Sequence, residues 1–456
     1  MNLLETFRNI WAIEDLRKRV LFTFLMLAIY RLGAHIPTPG IDPASMNEFF
    51  KATAGSLFGF LDIFSGGALR RLSVFALGIM PYISASIILQ LLTVVWPYLE
   101  KLSKEGEMGR RKINQYTRYG TVVLSIVQSL GVAFWLKSQV SPGGAPLVPP
   151  YVQDMLWGLG FPIMTVLTLT TGTAFIMWLG EQISERGIGN GISLIIFSGI
   201  IGRAPRSVVS VVGGHTGAGG IADYLPFVVL VVLGLLAIAF VIEVQQAVRK
   251  IPIQSAQRVS GGGRTVQGRQ SSLPLRVNQA GVIPIIFALS IMTFPGIVAG
   301  YLQATPADTP WHKAAAWIQG NFVPSGPNIT AVVVYNLLYF LFIFGFTYFY
   351  TAITFDVNDV ADNLRRYSSF IPGIRPGRPT AEYLAAVMNR VTFAGAIFLG
   401  LITVVLPLAA ARVTNIPQNQ MYLGGTALLI VVGVALDTMK QLETQLMMRQ
   451  YRGFIR

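Results

Sequence analysis

Cysteine is absent from all 456 residues, which excludes a disulfide framework and any cysteine-held metal centre. The three histidines, His35, His215 and His312, fall in separate loops with no ligand spacing, so a structural metal has no candidate site. Charge is scarce: Asp, Glu, Lys and Arg make up 12% of the chain against 53% hydrophobic residues, a balance that excludes an ordinary soluble globular protein. Catalytic arrangements are missing too. No nucleophile–base pair or triad stands out, so nothing argues for an enzyme. Gly187-Ile188-Gly189-Asn190-Gly191 fits neither a dinucleotide fingerprint nor a phosphate-binding loop and follows no strand pattern. It reads as a backbone break between two spans.

What the chain has instead is apolar length, with a mean hydropathy of +0.57. The runs 20–30, 72–96, 156–180, 224–242, 277–301, 331–355, 391–411 and 421–436 contain no Asp, Glu, Lys or Arg. Most approach the roughly 20 residues that a helix needs to cross a bilayer. With 119–136 and the short, Gly-rich 188–202, ten spans are expected. The first run follows Arg17, Lys18 and Arg19 without an Ala-x-Ala-like cleavage site, so it is expected to be a retained span rather than a signal peptide.

Basic residues orient the spans. With a cytoplasmic N-terminus and ten alternating spans, 26 of the 35 Lys and Arg fall in cytoplasmic segments, as the positive-inside rule requires. The segment 245–276 contributes Arg249, Lys250, Arg258, Arg264, Arg269 and Arg276, with no acidic residue from 249 onward. One reading of these cations is topological signal plus attraction to anionic lipid, at about 1 kcal/mol each. The other is a docking platform for a large anionic partner such as ribosomal RNA. Aromatic residues are missing from 249–276, which argues against base stacking there.

Three features lie inside the membrane. Gly78-Ile79-Met80-Pro81 and Gly281-Val282-Ile283-Pro284 repeat a Gly-x-x-Pro core near the starts of spans two and seven. Those are corresponding positions if the chain is two five-span halves of opposite orientation, and Gly/Pro-broken spans at such positions mark a pathway. The stretch 57–71, which carries Asp62, is apolar but too short to cross. It reads as a re-entrant segment lining a cavity, or else as an amphipathic helix at the outer headgroups. Isoleucines pair at helical spacing, Ile79 with Ile83 and Ile192 with Ile196, and the polar residues Ser84, Ser86, Gln90, Gln128 and Asn278 gather near the repeat. Aliphatic pairs at i,i+4 share one helix face. Uncharged polar groups in spans commonly hydrogen-bond between helices at about 0.6 kcal/mol each.

The stretches 73–90 (SVFALGIMPYISASIILQ), 178–193 (WLGEQISERGIGNGIS), 274–284 (PLRVNQAGVIP) and 371–377 (IPGIRPG), in that order, closely resemble signature segments of the SecY/Sec61-alpha family of protein-conducting channels. The resemblance runs from 16–42 through the last span. It implies an all-α membrane protein of ten transmembrane helices in two inverted five-helix halves, 1–203 and 204–440, with a cytoplasmic tail at 441–456. It implies an hourglass pore closed by a ring at Ile79, Ile83, Ile192, Ile196, Ile286 and Ile430. The plug would be Phe60, Leu61, Asp62, Ile63, Phe64, Ser65, Gly66, Gly67 and Ala68. A lateral gate would carry Ser84, Gln90, Gln128 and Asn278. Cytoplasmic loops at 245–276 and 356–389 would receive partners through Arg249, Lys250, Arg258 and Arg375.

The implied partners are the small subunits SecE and SecG, the motor ATPase SecA, the ribosome with its nascent chain, signal peptides, unfolded preproteins and membrane lipids. No cofactor is implied, and the implied location is the bacterial cytoplasmic membrane. The residues agree with such a role on physical grounds. A pore passing diverse unfolded polypeptide cannot use a charged filter, whereas an apolar constriction traps no segment and can gate by dewetting. Isoleucine, stiff at χ1, suits a compact collar. The competing readings are a secondary transporter and a passive small-solute channel. Spans without charge argue against the transporter, which needs ionisable groups on its pathway.

Overall fold

In hydrocarbon every backbone N–H and C=O must be paired within the chain, and each of the ten apolar runs contains a helix in the computed structural model. The structure describes residues 11–52, 62, 65–139, 143–153, 158–202, 225–255, 258–260, 264–266, 270–302, 309–322, 328–414 and 424–453. In the first half, α1 (Glu14–Gly33) is followed by the short outer helix α2 (Pro43–Ala52), then by α3 (Met80–Val95) and α4 (Pro97–Lys104). Next come α5 (Glu107–Ser138), α6 (Gly160–Arg186) and α7 (Gly191–Ile201). The second half contains α8 (Leu225–Gln246), α9 (Ile283–Leu302), the outer helix α10 (Pro310–Asn321), α11 (Ile329–Thr354) and the cytoplasmic helix α12 (Val357–Arg366). A ninth span joins α13 (Arg378–Gly400) to α14 (Leu406–Thr414) through a π-helical turn at Leu401–Val405, and α15 (Gly425–Gly453) is the tenth.

Six of these spans are long and apolar enough to cross a bilayer alone, while α3 and α4 form a pair bent by 99° at Trp96. Helix α7 has 11 residues, a rise of about 16 Å, and so reaches only part of the way through the roughly 30 Å hydrocarbon layer. The tail expected at 441–456 continues α15 as far as Gly453. The boundary expected between residues 203 and 204 lies outside the described residues.

One sequence reading needs correction. The prolines of the Gly-x-x-Pro repeat do not interrupt spans; they begin them. Pro81 and Pro284 are each the second residue of their helix, α3 and α9. An early position suits proline because the missing N–H has no intrahelical acceptor there. Gly78 and Gly281 take φ of 57° and 65°, a left-handed conformation that glycine adopts without a Cβ clash. The run 72–96 is therefore helical only from Met80, and residues 65–79 descend as a chain of turns.

The two halves repeat this entry in detail. Val74, four residues before Gly78, donates its amide to Ile36 O at 2.9 Å, just past α1, while Val277, four before Gly281, donates to Ala247 O at 3.0 Å, just past α8. A Cβ on Gly172 of α6 would lie 2.0 Å from Val74 O, and one on Gly395 of α13 would lie 2.5 Å from Val277 O. The fourth span of one half and the ninth of the other thus carry a glycine against the same carbonyl of the repeat. These matched contacts support the inverted five-helix halves far better than a shared Gly-x-x-Pro core of sequence.

The basic loop 245–276 is not an irregular loop. Strand β1 (Val248–Ser255) pairs antiparallel with β4 (Gln270–Arg276), from Val248 opposite Arg276 to Gln254 opposite Gln270. Between them β2 (Arg258–Ser260) pairs with β3 (Arg264–Val266). Strand β5 (Ser369–Phe370), from the next cytoplasmic loop, adds to the other edge of β1. Ile251, Leu275, Ile371, Leu384 and Met388 form a small core beneath this sheet. Across the halves, the Gly189 amide donates to Gln441 Oε1 at 2.9 Å, while within the first half the Ile188 amide donates to Thr23 Oγ1 at 3.1 Å.

Gly172→Ala and Gly395→Ala should each destabilise the protein by about 1–3 kcal/mol through overpacking against backbone that cannot move aside. Gly345→Ala on α11, which would meet no atom within 4 Å, should be neutral. Thermal unfolding of the three purified variants checks this ordering.

Candidate functional site

The helix starts fixed by the repeat aim isoleucines at the centre of the molecule. Ile79 precedes the first turn of α3 and accepts the Ile83 amide at 3.1 Å, so the two side chains keep one face although only Ile83 lies within the helix. Ile196 comes from α7, Ile286 from the first turn of α9 and Ile430 from α15. These five residues line one cavity of about 120 Å³. Its remaining wall includes Ser65, Leu69 and Ala76 of the turn segment, Trp135 of α5, and Thr293 and Phe294 of α9.

A second, wider cavity of about 700 Å³ shares Ile196, Ile286 and Ile430 and has a mixed lining, in which Asn190, Arg276, Asn278, Asp437 and Lys440 stand among apolar residues such as Val282, Ile283 and Leu436. The lining residues that the cavities share lie at the boundary between an apolar chamber and a polar funnel. Ile192 lines neither cavity. It packs on α6, where a Cβ on Gly180 would lie 3.1 Å from Ile192 Cγ1. Burial divides them differently: Ile79, Ile83, Ile196 and Ile430 are buried, whereas Ile192 and the cavity-lining Ile286 are partly open.

The residues of the expected lateral gate separate. Ser84 and Gln128 line the apolar chamber, where α9 packs against both α3 and α5. Gln90 lines neither cavity and donates to Ser86 Oγ at 3.5 Å. Asn278 faces the polar funnel and donates its Nδ2 to Gly281 O at 3.1 Å, bracing the left-handed turn that starts α9. Its Oδ1, together with Gln279 Oε1 and Gln245 Nε2, is buried with no partner among the described residues, and all three residues line the funnel. Sequence reading missed Gln245 and Gln279 because amides near span ends are common and only the fold turns these two inward.

Of the expected plug, Asp62, Ser65, Gly66, Gly67 and Ala68 are described, and Phe60, Leu61, Ile63 and Phe64 lie outside the described residues. Asp62 is 3% exposed, and its Oδ1 accepts the Arg70 amide at 2.8 Å. Ser65 Oγ donates to Asp62 O at 3.1 Å and accepts the Leu69 amide at 3.1 Å. This knot sits beneath the isoleucines, with Ser65 in the chamber wall.

On the cytoplasmic side Arg249 and Lys250 stand exposed on β1, and Arg375 is exposed in the turn between β5 and α13. Arg375 O accepts Thr380 Oγ1 at 2.8 Å, which anchors that turn on the first residues of α13. The shared sheet joins the two loops that carry these cations. Arg258 opens β2, and its side chain lies outside the described residues.

Comparison with known proteins agrees over nearly the whole chain. A family model described as SecY matches residues 73–439. The protein translocase subunit SecY of Aquifex aeolicus is 45% identical over 456 residues, covering 99% of both chains. The same subunit of Thermus thermophilus is 44% identical over 455 residues, covering 99% of this chain and 98% of that one. Among solved structures, a SecY channel studied for a plug domain that stabilises its closed state shares the fold at 17% identity. Its TM-score is 0.62, covering 94% of this chain and 92% of that one.

Polar groups at a dry waist invite water and ions. Ile286→Asn and Ile83→Asn should therefore raise the ion conductance of the protein in vesicles at least several-fold above the unsubstituted chain. Ile192→Asn should raise it less, because that side chain lines neither cavity. A salt-gradient leak assay reads all three.

Proposed function

The chain belongs to the SecY family, and on that premise we propose that the isoleucine waist, the turn segment beneath it and the paired cytoplasmic loops are the working parts of its channel. It is the protein-conducting channel subunit of the translocase, a multi-pass protein of the cytoplasmic membrane. Unfolded secretory polypeptides cross through it, and signal sequences and transmembrane segments leave it sideways into lipid. The observation that supports the residue assignment best is the sharing of Ile196, Ile286 and Ile430 by two cavities, one almost wholly apolar and the other carrying charged and amide groups.

A collar of branched aliphatic side chains offers a passing segment dispersion contacts and no fixed charge, so neither an acidic nor a basic stretch is held. At rest the same surface excludes water, since a chamber of apolar lining does not repay an ion for its lost hydration. The segment containing Asp62 and Ser65–Ala68 closes the chamber from the outer side. Ser84 and Gln128 lie where α3 and α5 meet α9. In this reading that seam is the lateral gate, and separation of α9 from α3 and α5 opens it to lipid.

Nothing in the spans supplies energy, and we read no catalytic step in the chain. A docked partner provides the drive, either the motor ATPase SecA or a ribosome with its nascent chain, while SecE and SecG complete the membrane complex. A solved relative is a Sec61 in a canine ribosome-channel complex, which favours the exposed cations Arg249, Lys250 and Arg375 as contacts to such partners. The phosphates of ribosomal RNA and the carboxylates of a motor protein are both met by exposed guanidinium groups.

The reading is tested by reconstituting the subunit with SecE, SecG and SecA in vesicles and following protease protection of an unfolded preprotein. ATP-dependent protection is expected; saturable uptake of a small solute with no protected polypeptide would overturn it. Arg375→Glu should lower motor-driven translocation about tenfold while leaving the thermal unfolding temperature unchanged, because the side chain is exposed and reversing a rim charge acts mainly on encounter with the partner. An unchanged translocation rate removes Arg375 from the docking surface.

A further inference from the structure

Two neighbouring residues at the outer end of α1 grip the turn segment by its backbone. Tyr30, 2% exposed, donates its hydroxyl to Ser65 O at 3.3 Å, and its ring stacks on Phe75 with centroids 6.0 Å apart. Arg31 donates Nη1 to Gly66 O at 3.3 Å and Nη2 to Ser198 O at 2.7 Å. Its guanidinium thus bridges the turn segment and the last turn of α7. A slot cleared by glycine receives it. A Cβ on Gly202 would lie 1.1 Å from Arg31 Nη2, one on Gly66 would lie 3.1 Å from Nη1, and that same Gly66 Cβ would lie 2.9 Å from Gly199 Cα.

We propose that Arg31, with Tyr30, is a positioning latch that seats residues 65–66 against α7 and so sets how much of the resting channel is closed; this rests on reading that segment as the plug. The chemistry of the bridge is asymmetric. Ser198 O is one of the last carbonyls of α7, where the helix dipole adds to its attraction for a cation, so the guanidinium stays on α7 whether or not the segment is seated. Gly66 O is the releasable acceptor. A planar fork with several fixed donors spans two carbonyls at once, which a lysine ammonium on its flexible stem does not reproduce. The hydrogen bonds of Tyr30 and Arg31 to residues 65 and 66 both go to main-chain oxygens. A charged donor to a buried carbonyl exceeds a neutral hydrogen bond in strength, so losing it shifts a two-state seating equilibrium by roughly tenfold.

The test uses the full chain with its small subunits in vesicles, reading ion leak, translocation of a normal preprotein, and acceptance of a preprotein with a defective signal sequence. Arg31→Gln is expected to raise leak about tenfold and to admit the defective preprotein while normal translocation persists. Tyr30→Phe, which keeps the ring stack and removes only the hydroxyl, should do the same more weakly, and Arg31→Lys should fall between Arg31→Gln and the unsubstituted chain. A gain of permeability with normal translocation retained is not what a folding defect produces. Gly66→Val tests the plug reading separately, because its side chain cannot sit against Gly199 whatever Arg31 does. Raised leak in Gly66→Val with Arg31→Gln and Tyr30→Phe at the unsubstituted level overturns the latch and leaves the plug. Unchanged leak in Gly66→Val overturns the plug reading, and the latch with it.

Discussion

The structure depends on one constraint: no backbone polar group can be left unpaired in hydrocarbon. Any non-helical chain at membrane depth must then be enclosed by protein, and here the segment 65–79 runs as turns in the middle of the molecule. Its amides are satisfied locally and by neighbours, as where Thr38 donates to Leu72 O at 2.8 Å and Val74 donates to Ile36 O. The spans surround this core of turns, and the close approach of Gly172 to Val74 O shows how tightly α6 is drawn in. A pathway through the protein exists because the helices are arranged around backbone that cannot face lipid.

From that arrangement follows the division of labour at the waist. Starting α3 at Met80 and α9 at Ile283, instead of farther out, brings Ile83 and Ile286 to the same level as Ile196 and Ile430. On one side lies a chamber whose polar lining is limited to a few hydroxyls and amides. On the other lies a funnel carrying Arg276, Asp437 and Lys440. In the proposed channel, a polypeptide entering through the funnel meets water and charge first, then the isoleucine ring, so the cost of desolvation is confined to a few residues at a time.

The cytoplasmic sheet extends the same repeat outward. Behind α1 the pairing is a single bridge between Pro37 and Ser73. Behind α8 the corresponding pairing lengthens into the β1–β4 hairpin, from Val248 opposite Arg276 to Gln254 opposite Gln270. Strand β5 then ties the loop bearing Arg375 to that hairpin, so the two basic regions share one sheet. Arg276 at the end of β4 is followed within seven residues by the start of α9.

The sequence alone determined the class, the ten spans and the orientation, because charge-free length and one-sided basic loops are properties of local composition that the bilayer reads directly. Its spacing paired Ile79 with Ile83 and Ile192 with Ile196, whereas Ile286 and Ile430 came only from the family resemblance, and it pointed to the right glycines and prolines while misjudging Pro81 and Pro284 as interruptions of helices that they begin. A basic stretch has no strong alternation to betray the hairpin at 248–276, and the strand β5 that joins the other edge of β1 comes from a separate loop far along the chain. Only the tertiary structure decided that Ile192 packs on α6 while Ile196 lines both cavities, that Gln245 and Gln279 turn inward, and that Arg31 reaches Gly66 and Ser198 at once. Those outcomes turn on contacts between residues far apart in the chain, and spacing along one helix carries no record of what another helix brings against it.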